Sequence, residues 1–100
     1  MEIRFRTNQL QKCYERHQTA VRKFGDAVAR RYVLRINTIK SARDIDELIA
    51  LPGLRCHPLK GDRSGQYAVK LTGFYRLIFT LEGDSLTIVR IEEVSKHYGD

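Results

Sequence analysis

No tryptophan occurs in these 100 residues, methionine is used once, and proline and cysteine twice each. Cys13 and Cys56 are too few for the disulfide framework that holds small secreted domains together, and they fit a reducing compartment. No apolar run approaches the ~20 residues that a membrane-spanning helix needs. The opening stretch MEIRFRTNQL lacks the apolar core of a signal peptide, so the expected location is the cytoplasm, with no membrane partner. Repeats, low-complexity tracts and linkers are missing too, and one domain over residues 1–100 is expected. Familiar catalytic spacings are also lacking. KGDRSG does not have the G-x4-G-K-[ST] spacing of a phosphate-binding loop, and neither G-x-S-x-G nor H-E-x-x-H occurs.

Acidic side chains are the other shortage. Twelve Asp and Glu stand against eighteen Lys and Arg, which leaves a net charge of +6 and a pI near 9.6. In so small a chain this excess points to a polyanionic partner such as nucleic acid, or to an acidic protein. A solubilising basic surface accounts for the charge equally well.

The apolar residues that are present set out an order of elements. EIRFRT alternates, with Ile3 and Phe5 on one face, as a half-buried strand does. Asn8 is in place to cap a helix whose buried stripe reads Leu10, Cys13, Tyr14, His17, Val21 and Phe24, with Gly25 at its end. Asp26 then caps a second helix to about Lys40, with Val28, Tyr32, Ile36 and Ile39 inward, and the short turn predicts an antiparallel helical hairpin. SARDIDELIALPG reads as a short third helix or turn stopped by Pro52 and Gly53. From Leu54 the period changes to two: LRCHPLKG, QYAVKL, FYRLIFTL and LTIVRIEEV read as strands, with EGDS as a hairpin turn. The expected fold is α+β, an N-terminal strand and a helical hairpin packed on a twisted antiparallel sheet.

The cations are not spread evenly over this plan. Arg55, Lys60, Arg63, Lys70 and Arg76 fall within twenty-two residues, with Asp62 the lone acid among them. Alternation puts Arg76 with Ile78 and Thr80, and Lys70 with Gln66 and Ala68, opposite the apolar set Tyr67, Val69, Leu71, Tyr75, Leu77 and Phe79. Either these are solvated strand residues that discourage edge pairing, or they form a basic face that seats a phosphate backbone. Arg55, Lys70 and Lys96 are read as RNA-binding on the second view. Lys96, His97 and Tyr98 follow the last strand closely, at an end that can lie near the loop carrying Lys60 and Arg63. Histidine, phenol and fixed cations are the parts needed for attack of a ribose 2′-hydroxyl on its neighbouring phosphate, without a metal or other cofactor. The alternative is a frayed terminus. Cys13 with His17, and Cys56 with His57, do not have the usual zinc-ligand spacing, and the first pair is read as core.

One longer stretch carries a resemblance. LPGLRCHPLKGDRSGQYAVKLTGFYRLIFTLEGD, residues 51–84, resembles the central signature of the RelE/ParE superfamily of toxins, and most closely its HigB branch. The run L-K-G-D-R, the G-Q-[YW] strand start and [WY]-R-[LI]-x-F are all present, in one order. The resemblance implies the toxin of a type II toxin–antitoxin pair, a ribosome-dependent endonuclease that cuts mRNA in the A site. It implies as partners the ribosome, mRNA and a helix-turn-helix antitoxin of HigA type, with a toxin–antitoxin heterotetramer as one assembly. Carried over by motif, Lys60 and Arg63 would hold phosphate or its developing charge, and Arg76 would stabilise the transition state. HigB proteins commonly end their last strand in aspartate-tyrosine-histidine, whereas this chain reads EEVSKHYGD, which makes His97 and Tyr98 the candidates for proton transfer in unassigned roles. ParE-type relatives share the fold but inhibit DNA gyrase, and a basic module that only binds nucleic acid or an acidic antitoxin segment is the third alternative.

Overall fold

In a computed structural model of the chain, residues 1–96 are described. Strand β1 (Glu2–Phe5) leads into helices α1 (Asn8–Glu15), α2 (His17–Phe24) and α3 (Asp26–Ser41), then the short α4 (Ile45–Ala50). Strands β2 (His57–Pro58), β3 (Gln66–Lys70), β4 (Tyr75–Glu82) and β5 (Ile88–Lys96) follow, with a 3₁₀ turn at Gly61–Arg63 between β2 and β3. The sheet order is β1-β5-β4-β3-β2. The neighbours from β2 to β5 are antiparallel, but β1 runs parallel to β5, so the sheet is mixed. The helices carry the chain from β1 at one edge to β2 at the other, and the antiparallel strands β2 to β5 then return it to lie parallel beside β1.

The helices do what the hydrophobic stripe asks, with one interruption. Thr7, not Asn8, is the N-cap of α1, and its Oγ1 accepts a hydrogen bond from Leu10 N at 3.1 Å. The expected single helix from residue 8 to 24 breaks at Arg16, which is extended at φ −128° and ψ 111°. The break resets the helical phase. Cys13 stays buried, but His17 turns outward, its side chain 54% exposed with Nε2 3.8 Å from an Asp26 oxygen. The reading of His17 as a core residue is therefore corrected. Gly25, at φ 83°, then makes the corner into α3 in a conformation that costs a glycine little.

Leu10, Cys13, Val28, Tyr32, Ile36, Ile39 and Leu48 from the helical side meet Val69, Leu77, Phe79, Val89 and Ile91 from the sheet in one core. Tyr32 is fully buried and meets the requirement of its hydroxyl by donating to Leu10 O at 2.7 Å. The helices thus cover one face of the sheet and leave the other to carry the polar chemistry.

Candidate functional site

The uncovered face is built by register. Across it, His57, Ala68, Ile78 and Glu93 form one row, and Lys70, Arg76 and Ser95 the next. Gln66, Thr80, Arg90 and Arg4 form a third row on the other side of the first. Rows two residues apart along a strand are separated by roughly 7 Å. Ala68 and Ile78 are buried although no helix covers them, so the longer polar side chains around them form the wall of the site.

A bulge sorts the charges on this face. Between the pairs Phe79–Ile91 and Ile78–Glu93 the register skips Glu92. An extra residue lets neighbouring side chains point the same way. Glu92 therefore reaches Thr80 Oγ1, which donates to it at 2.8 Å, and stands 3.7 Å from both Arg6 and Arg90. Glu93 stands 3.6 Å from Arg63, whose Nη1 also donates to Gln66 Oε1 at 3.0 Å. These two carboxylates pair with three arginines, Arg6, Arg63 and Arg90, on one half of the face. Among the described residues, Arg55, Lys60, Lys70 and Arg76 have no carboxylate within ion-pair distance.

Three of those unneutralised cations share one cleft. Arg55, Lys70 and Arg76 line a cavity of about 500 Å³ together with His57, Phe74 and Tyr75. Arg76 Nε is buried and has no hydrogen-bond partner among the described residues. An orphaned donor of this kind costs about 1–3 kcal/mol. Its cleft gives a ligand's acceptor room to pair with it. Arg55 adopts a left-handed φ of 54°, uncommon outside glycine, and its carbonyl oxygen lies 2.9 Å from His57 Nδ1. A carbonyl can only accept, so Nδ1 donates to it, and whenever the ring is neutral Nε2 is left as an acceptor.

A second basic groove of about 620 Å³ adjoins the cleft and shares Lys70, Thr72 and Gly73 with it. Its other wall is α3, through Arg30, Arg31 and Arg35. Burial, and then the neighbouring charge of Arg31, push the Arg35 guanidinium below its usual range, while its Nε donates to Lys70 O at 3.0 Å. Asp26, the acid here, is paired with Arg30 and is held below the usual carboxylate range chiefly by that hydrogen bond.

Of the residues singled out in the sequence, the structure brings Arg55, Lys70 and Arg76 together. Lys60 caps the 3₁₀ turn and Arg63 closes it, before Gln66 and so at the other end of β3 from Lys70, a strand of roughly 13 Å between its first and last residues. Lys60 is exposed and does not line the cleft. Arg63 turns back over the open face toward Glu93. Lys96 stands opposite Tyr75, with Nζ 6.0 Å from the centre of that ring. The end of β5 is therefore level with the close of β3, not with the loop at its start. His97 and Tyr98 lie outside the described residues. Composition and spacing missed His57 as a member of the site. Its signal was its place on a strand beside β3, in register with Ala68, which only the pairing makes visible. No three His, Cys, Asp or Glu side chains cluster as metal ligands among the described residues, and Cys56 is buried, its thiol pushed up to about 11 by that burial. No helix of the described residues is long and apolar enough to cross a membrane.

Comparison with known proteins agrees with this architecture. The family of HigB-like toxins, described as the RelE-like toxin of the type II toxin–antitoxin system HigB, matches residues 3–92. Among solved structures, a YoeB/ParE toxin from Agrobacterium tumefaciens superposes with a TM-score of 0.66 at 19% identity, over 98% of this chain and 100% of that one. A YoeB–YefM complex from Staphylococcus aureus gives 0.63 at 16% identity over 98% of both chains. YafQ from Escherichia coli strain BL21(DE3) gives 0.60 at 17% identity, over 95% of this chain and 91% of that one. At such identities the structural likeness establishes the fold. No curated protein matches the chain significantly.

Proposed function

The chain belongs to the HigB-like family of RelE-like toxins of type II toxin–antitoxin systems, and from that premise we propose that it is a ribosome-dependent mRNA endonuclease. The observation that carries the reading is Arg76: a guanidinium whose buried Nε has no partner among the described residues, in a cleft with His57 and with Arg55 and Lys70, which no carboxylate of the described residues reaches. Such a cleft suits a phosphodiester, whose oxygens supply the missing acceptors and charge.

In this reading the RNA supplies its own nucleophile. The ribose 2′-oxygen attacks the adjacent phosphorus as its proton passes to a base. The bond to the 5′-oxygen of the next nucleotide breaks, and that oxygen takes a proton. The products are a 2′,3′-cyclic phosphate and a 5′-hydroxyl. Arg76 stabilises the charge that builds on the equatorial oxygens, while Arg55 and Lys70 hold the backbone on either side. His57 Nε2 is the acceptor suited to the 2′ proton. His97 and Tyr98 remain the candidates for the second proton transfer. Lys60, Arg63 and Lys96 add backbone contacts outside the cleft.

The partner expected from the family is an antitoxin of HigA type. The Staphylococcus aureus relative was solved as a YoeB–YefM complex, and a comparable toxin–antitoxin assembly is proposed here. Brief induction of wild type, Arg76→Ala, His57→Ala and His97→Ala, followed by primer extension on a reporter mRNA, tests the activity. Discrete cuts that require translation, lost in Arg76→Ala, support the nuclease. Growth arrest with intact mRNA would sink it and redirect attention to DNA gyrase.

A further inference from the structure

Phe74 is the most exposed of the large hydrophobic side chains among the described residues, at 63%. It contributes nothing to the core, being neither in the buried cluster nor among the residues packed against it. It occupies the turn between β3 and β4, where glycine, asparagine, aspartate or serine would serve the backbone better. Nor is it on a loose tip. Leu71 N and Thr72 N both donate to Tyr75 O, at 2.9 and 3.2 Å, and Phe74 N donates to Thr72 Oγ1 at 3.4 Å. The phenyl ring is thus presented to solvent from a braced backbone, as a wall of the cleft that holds Arg55, His57, Lys70 and Arg76. The other exposed hydrophobics, Leu34, Ile49, Leu51 and Leu86, lie outside that cleft.

An exposed aromatic beside unneutralised cations is the pairing by which proteins hold single-stranded RNA: the cations take the phosphates and the ring stacks a base. Phe74 precedes Arg76 by two residues, roughly 7 Å along the chain, a separation on the scale of a base and its phosphate. A ring without hydrogen-bonding groups accepts every base and separates them only by stacking strength, which gives a modest preference; the larger face of a purine overlaps the ring more fully. We propose that Phe74 is the stacking platform for a base flanking the scissile phosphate, and that it sets a purine preference at that position. The assignment rests on the ribonuclease reading above, and it adds a base-binding subsite to a cleft otherwise described only by charge.

The test maps 5′-hydroxyl ends across the transcriptome after brief induction of wild type, Phe74→Leu, Phe74→Trp and Arg76→Ala. Phe74→Leu keeps an apolar side chain but removes the aromatic face. It is expected to cut about 5- to 100-fold more slowly, with the preference at one flanking position reduced to near uniformity, while Phe74→Trp retains both. Circular dichroism and urea midpoints equal to wild type exclude a folding defect. A second readout uses the intact protein with a short RNA, 2′-O-methylated to prevent cleavage and carrying 2-aminopurine. Wild type quenches the fluorophore by stacking, and Phe74→Leu does not. Unchanged rate and base preference in Phe74→Leu overturn the proposal. So does equal quenching by both proteins, or a Phe74→Leu effect confined to neutralisation by the antitoxin. A wild type that does not cut is a failure of the ribonuclease reading instead, and the quenching result then decides whether the stacking site exists.

Discussion

Arg76 on β4 stands directly opposite Lys70 on β3, two like charges on neighbouring strands with no carboxylate in reach of either among the described residues. Like charges in that position destabilise a sheet by a few tenths of a kcal/mol to about 1 kcal/mol, and the buried, unpaired Nε of Arg76 adds to the cost. A site that holds such strain without ligand is stabilised when an anion enters it. Arg76→Met should therefore raise stability by about 1 kcal/mol, seen as a higher urea midpoint at unchanged m-value, while abolishing mRNA cleavage. A variant that is both less stable and inactive would mean that Arg76 serves the fold.

The same unneutralised charges predict salt behaviour. Each phosphate contact to single-stranded RNA contributes about −0.7 to the slope of log K against log salt. Lys70→Ala and Arg55→Ala should each flatten that slope by about 0.7, measured by fluorescence anisotropy on a short RNA. Arg90→Ala, whose guanidinium stands 3.7 Å from Glu92, should change it little.

The bulge at Glu92 makes a prediction about register. Unbroken alternation from Val89 would send Glu93 inward with Ile91 and leave Val94 outside. In the structure Val94 packs against the core and Glu93 lies on the open face. Val94→Asp should cost roughly 2–3 kcal/mol, whereas Glu93→Val should leave stability within about 0.5 kcal/mol. Chemical denaturation of the two variants checks this directly. The reverse order of costs would refute the bulge.

Alkaline stability follows from Cys56. Burial raises its thiol from an ordinary 9.0 up to about 11. Below pH 9 both folded and unfolded chains keep this proton, so the thiol has no effect on stability there. As pH rises from 9 toward 11, the unfolded chain releases the proton and the folded one does not, so stability falls across that window. The loss is at most about 2–3 kcal/mol. Relative to wild type, Cys56→Ala should show a flatter decline over the same window in a pH series of urea titrations. Parallel curves would show that another group carries the effect.

Much of this protein was legible from its residue order because local physics decides it. Periods of 3.6 and 2 placed the helices and the four later strands, and the alternation of QYAVKL and FYRLIFTL correctly put Lys70 and Arg76 on the face away from Phe79. The L-K-G-D-R and Y-R-L motifs pointed to the family that the match over residues 3–92 establishes. The break at Arg16 was not legible, because residues 10 to 24 carry one apolar period with no proline or glycine to interrupt it. Three further features depended on pairing between distant segments. β1 joins β5 in parallel, Glu92 is squeezed out of the ladder opposite β4, and β2 brings His57 beside Ala68, in a row next to Arg76. No local preference encodes these. They arise when the strands align to close one core, and that alignment also decides which cations a carboxylate reaches. Sequence determined that the chain is basic and which strand face bears the charge. Tertiary structure decided that Glu92 and Glu93 reach the arginines on one half of that face and that no carboxylate of the described residues reaches Arg55, Lys70 and Arg76 around the cleft, because ion pairing depends on distances of a few ångströms that only the folded sheet sets.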